Sequence, residues 1–121
     1  MKAASGDPPL SVDTIEIAYI QNQLLIWAIP DGGHCSHLLL NCASSPATWD
    51  VHQYFLHLSL PDMLKPGNYT LAFVGVTWSD KGRFDINLEK GGTIVKGWSM
   101  GASGPLSYMG ACCSKTVSIT V

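Results

Sequence analysis

At 121 residues the chain has room for one domain, and 46% hydrophobic against 13% charged residues sets aside intrinsic disorder. A net charge of −2 with only 7 Lys+Arg argues against a nucleic-acid partner, because neutralising phosphates takes a surplus of basic side chains. The longest apolar run, Leu24 to Ile29, falls far short of the roughly 18 residues of a membrane-spanning helix.

Residues 1–13 read as an N-terminal arm ahead of a single domain over 14–121. Met1–Asp7 is polar and lacks the apolar centre of a secretory signal; the compartment stays open, leaning to an extracellular or particle-associated setting. From there the periodicity is that of strands. Ile15, Ile17 and Tyr19 alternate with Thr14, Glu16 and Ala18, which predicts a half-buried strand over Thr14–Ile20. Gln21-Asn22-Gln23 reads as a turn into Leu24–Ile29, and Pro30-Asp31-Gly32-Gly33 ends that strand. His37–Cys42, Val51–Leu60, Tyr69–Trp78, Arg83–Glu89, Thr93–Trp98 and Thr116–Val121 bring the expected number of strands to about eight. One helical turn is expected near Pro61–Lys65. Pro66-Gly67, Asp80-Lys81-Gly82 and Gly91-Gly92 stand where hairpins and tight turns need them. The pattern predicts an all-β, antiparallel two-sheet sandwich of seven or eight strands.

The segment Leu64-Lys65-Pro66-Gly67-Asn68-Tyr69-Thr70-Leu71 resembles the corner before a core strand in immunoglobulin-like and fibronectin-type sandwiches. The resemblance implies that Tyr69 packs under the corner and returns its hydroxyl to nearby backbone. It covers 8 of 121 residues and concerns architecture; a jelly-roll satisfies the strand pattern equally, and neither fold carries a function with it.

Two of the expected strands are apolar on both faces. Leu24, Ile26 and Ala28 point one way while Leu25, Trp27 and Ile29 point the other; Tyr69, Leu71 and Phe73 are opposed by Ala72, Val74, Val76 and Trp78. A sandwich strand buries one face, so an apolar second face calls for a loop, the arm or another subunit over it. Leu25, Trp27, Ile29, Val74 and Val76 are therefore candidate interface residues.

Chemistry-bearing motifs are sparse. Gly97-Trp98-Ser99-Met100-Gly101 matches the G-x-S-x-G nucleophile elbow, whose flanking glycines relieve crowding so that the serine oxygen stands exposed. The helix that should follow would contain Gly104, Pro105 and Gly110, and no Asp, Glu or His follows Ser99, so the order serine, acid, histidine is impossible. Cys112 in Gly110-Ala111-Cys112-Cys113-Ser114 would need a positioned histidine to serve as a nucleophile. His34, Cys35, His37 and Cys42 gather potential zinc ligands, of which His34, His37 and Cys42 are the candidate set. Asp80, Asp85 and Asn87 could hold calcium, although their spacing departs from the EF-hand loop. The pairing of Cys35, Cys42, Cys112 and Cys113 is open.

Trp49-Asp50, Trp78-Ser79-Asp80 and Trp98-Ser99 place aromatic rings beside hydrogen-bonding groups near strand ends. Flat rings stack on sugars while carboxylates bind hydroxyls, so Trp49, Asp50, Trp78, Asp80 and Trp98 are candidate ligand residues, with a glycan as the ligand class. Charge is uneven along the chain: residues 1–64 hold six acids against one lysine, net −5, and residues 65–121 hold six bases against three acids, net +3. The expectation is a non-catalytic recognition or assembly module, self-associating or binding a protein partner. A self-assembling subunit of a particle or filament is the first alternative, and a small hydrolase using Ser99 the second.

Overall fold

The structure is a computed structural model that describes residues 8–33, 35–43, 53–77, 82–101 and 110–121, with Thr77 and residues 110–113 described through their backbone alone. These segments hold nine strands: β1 (Leu10–Ser11), β2 (Thr14–Ile20), β3 (Asn22–Pro30), β4 (His37–Ala43), β5 (Tyr54–Ser59), β6 (Asn68–Thr77), β7 (Arg83–Lys90), β8 (Thr93–Gly101) and β9 (Gly110–Thr120). They form a five-stranded sheet of order β1-β9-β6-β3-β4 and a four-stranded sheet of order β5-β2-β7-β8. Every pairing is antiparallel except β1 with β9, which is parallel. The expected all-β, two-sheet class is the one observed. A three-residue 3-10 turn at Leu60–Asp62 stands where the helical turn is expected.

Period-2 alternation builds the core. Ile15, Ile17 and Tyr19 of β2 and Phe84, Ile86 and Leu88 of β7 meet Leu24, Ile26 and Ala28 of β3 and Tyr69, Leu71 and Phe73 of β6, all buried. Each fully buried large side chain contributes about 1.5–3 kcal/mol to folding.

Three local devices hold the sheets in register. The chain leaves one sheet at Ile20 and enters the other at Asn22, turning on the single residue Gln21, which takes the left-handed φ of 51°. An L-residue in that region costs about 1–2 kcal/mol, so the surroundings must enforce it. Asn22 does part of this: wholly buried, it donates from Nδ2 to the Arg83 carbonyl at 2.6 Å, tying the start of β3 to the start of β7. At the corner before β6, the Tyr69 hydroxyl donates to the Lys65 carbonyl at 2.7 Å, with Leu64 buried beside it. Between β7 and β8, Lys90 pairs with Thr93 around Gly91 (φ 59°) and Gly92 (φ 82°), a two-residue turn with both φ positive.

The structure differs from the sequence expectation at several boundaries. Leu10–Ser11 of the expected arm is a strand against Ile119–Thr120, and Val12 beside it is 1% exposed. β9 starts at Gly110 rather than Thr116, because antiparallel pairing with β6 carries the polar stretch Ser114–Thr116. The expected three-residue turn at Gln21–Gln23 contracts to one residue, since Asn22 and Gln23 already pair with Thr77 and Val76. No helix among the described residues is long and apolar enough to cross a membrane.

Candidate functional site

The two outward faces differ in chemistry. On the five-stranded sheet, residues alternating with the buried set point outward, and the register aligns them in rows. One row runs Leu38, Trp27, Ala72, Thr116 across β4, β3, β6 and β9; the next runs Asn41, Leu25, Val74, Ser114. Gln23 stands opposite Val76, and Ile29 opposite Thr70, which faces Ser118. Leu25, Trp27, Ile29, Val74 and Val76 thus share one face, as the alternation predicts. Leu38 joins them at 48% exposure, beside Ile29 at 40%. Sequence reading missed Leu38: a bulge between Ile26 and Trp27 in the β3–β4 pairing turns Leu38 outward, and neither strand alone signals it. Among the described residues these rows hold no charged side chain. Their polar members are amides and hydroxyls, as in the 2.7 Å bond from Gln23 Nε2 to Asn41 Oδ1.

The four-stranded sheet is the opposite case. Its outward rows are Phe55, Ala18, Asp85, Ser99 and His57, Glu16, Asn87, Gly97 across β5, β2, β7 and β8. His57 Nε2 lies 3.4 Å from Glu16 Oε2, and Arg83 donates to Asp85 Oδ1 at 2.9 Å. Ser99 Oγ donates to the same Asp85 oxygen at 2.5 Å. Burial pushes the Asp85 carboxyl up, but the Ser99 and Arg83 hydrogen bonds outweigh it and hold the group below the usual carboxylate range. Ser99 sits on a strand and points to a carboxylate. The nearest described imidazole along its row positions, His57, lies three strand spacings away, about 14 Å. The nucleophile-elbow geometry of a strand-to-helix turn is absent here, since β8 runs unbroken through Gly97–Gly101.

Trp98 alternates to the inside of β8. Its ring meets Phe73 edge-on at 5.0 Å, and the Lys115 ammonium sits 5.3 Å from its centre. That ring spans the two sheets rather than facing solvent. Trp49, Asp50, Trp78 and Asp80 lie outside the described residues, as does His34. His37 and Cys42 stand on one strand five residues apart, roughly 16 Å along β4, too far to share one zinc ion. Asp85, the calcium candidate's described carboxylate, is engaged by Arg83 and Ser99. Among the described residues no group of three His, Cys, Asp or Glu converges on a metal position.

Cys35 and Cys42 are both free thiols, Cys35 exposed and Cys42 half-buried. Cys42 turns inward against the Tyr19 hydroxyl. Burial pushes the thiol up and, with Cys42 and Tyr54 alongside, pushes the Tyr19 phenol up to about 12. Cys112 belongs to the part of β9 described by backbone alone.

No family model, curated protein or solved structure matches the chain.

Proposed function

We propose that the protein is a non-catalytic recognition and assembly module that associates with copies of itself through the outward face of β4, β3 and β6. The observation that carries this is the uncharged row structure of that face: Leu25, Trp27, Ile29, Leu38, Val74 and Val76 lie together. The opposite face holds Glu16, Arg83, Asp85 and Glu89. Exclusion of charge around an aromatic residue is the compositional mark of an interface centre. Trp27, flanked by Leu25 and Ile29 on its own strand, is the natural anchor. Flat sheet faces of this kind pair by two-fold symmetry, each copy presenting the same rows.

The finer architectural reading is an immunoglobulin-like sandwich. It is supported by the Tyr69 corner bond. Sedimentation velocity over a concentration series tests the function. The expected result is a dimer or larger species that Trp27→Asp converts to folded monomer, because a buried aromatic anchor is typically worth about 2 kcal/mol or more. A glycan array tests the alternative of sugar binding through Trp49 and Trp78, and a fluorophosphonate probe tests Ser99; silence in each is the expected outcome.

A further inference from the structure

We infer that the free edge of β9 is a docking groove for an extended, acidic segment of a partner protein, which binds there as an added strand. A cavity of about 370 Å³ opens here, lined by Pro8, Leu10, Lys96 and Thr70 and by Lys115, Thr116, Val117 and Ser118 of β9. Four consecutive residues of one strand line it. A groove on a sheet face would touch alternate residues, so this one follows the backbone edge, where N–H and C=O groups project.

The structure shows both that this edge accepts a strand and why its own strand stops. β1 pairs with it in parallel at Ile119 and Thr120. Upstream of Leu10 stand Pro9 and Pro8, which have no N–H to donate, so the ladder cannot continue toward Val117. Among the described residues no strand pairs with the outer edge of β9 over Ser114–Val117. β8, the edge strand of the other sheet, lies alongside: Trp98 touches both Phe73 and Lys115.

Charge selects the occupant. Lys96 pairs with buried Leu88 and Lys115 with buried Phe73, so both lysines stand at inward-facing positions of the two edges. Inward lysines blunt an edge against apolar strands. The same two ammonium groups, with the hydroxyls of Thr70, Thr116 and Ser118 on the outer side, complement a strand that carries a carboxylate inward and small polar side chains outward. This docking uses the strand edge and is separate from the Trp27 face.

The test is amide hydrogen exchange and chemical-shift mapping of the full chain with an acetylated valine-serine-aspartate-serine-valine peptide, whose aspartate and serines fall on opposite faces of a strand, and its asparagine counterpart. The aspartate peptide is expected to protect amides within Ser114–Val117 and to leave the Trp27 face unshifted. The asparagine peptide and K96Q should each weaken binding by about threefold to fivefold, the worth of one partly exposed ion pair. K115Q also removes the contact with Trp98, so K96Q, which leaves that contact in place, is the decisive variant. Three outcomes overturn the inference: no saturable protection by the aspartate peptide, protection of these amides already in the free protein, or succinate alone reproducing every shift. The last would make the cavity a small-anion site.

Discussion

Tyr19 and Cys42 come from different sheets and meet in the core, where both stay neutral because burial disfavours their charged forms. The sign of the pH effect follows. The folded phenol titrates near 12 and the unfolded one near 10, so the folded state holds its proton more tightly. Stability is full below the unfolded value and falls as pH rises through it, reaching a floor once the folded phenol ionises as well. Denaturant unfolding between pH 9 and pH 12 should show that decline, and absorbance titration of phenolate should show one tyrosine ionising late. At neutral pH, mass-mapped alkylation should label exposed Cys35 well before Cys42. Two further residues carry specific costs. Tyr69→Phe removes the bond to the Lys65 carbonyl and should cost about 1 kcal/mol in chemical denaturation. Asn22→Ala leaves the Arg83 carbonyl without its donor at the sheet switch and should cost about 1–3 kcal/mol.

At the level of elements, the strands that alternate strictly were the legible ones. β2 has the expected bounds, and β3, β6 and β7 lie within a few residues of theirs, because a buried face with period 2 fixes where pairing begins and ends. The first half of β9 was not legible: its side chains carry no alternation, and its extension comes from pairing with β6. β1 was hidden for the same reason, being two residues held by the far end of the chain. The candidate face was readable in the doubled apolar pattern of Leu24–Ile29, whereas Leu38 needed the bulge to be seen. Trp98 was readable as an aromatic near polar groups but not as an inward one, since β8 begins with a bulge that resets its alternation at Val95. Turn chemistry gives a test here. Gly92→Ala places a Cβ at φ 82° in the two-residue turn and should cost about 1–2 kcal/mol, measurable by thermal or denaturant unfolding.

For the whole molecule, the uneven charge of the sequence carries over into the strand order. Strands from residues 1–64 and 65–121 lie as adjacent blocks in both sheets, β5-β2 beside β7-β8 and β3-β4 beside β6-β9, with only the two-residue β1 set apart from its half. The two sequence halves, net −5 and net +3, therefore take opposite sides of each sheet. Among the described residues charge also segregates from its absence: Glu16, Arg83, Asp85 and Glu89 on one face, an uncharged apolar and hydroxyl face on the other. Among the described residues charge thus stands away from one sheet face, which suits a molecule that works with that face covered.

Sedimentation velocity of the wild-type chain and Trp27→Asp, at matched concentrations and with circular dichroism to establish that both are folded, tests this most directly. The structure predicts a wild-type oligomer whose dissociation constant rises by about 30-fold or more in the variant, the effect of losing one central aromatic anchor. A wild-type chain that stays monomeric across the whole concentration range, or a variant that assembles as well as the parent, would contradict it.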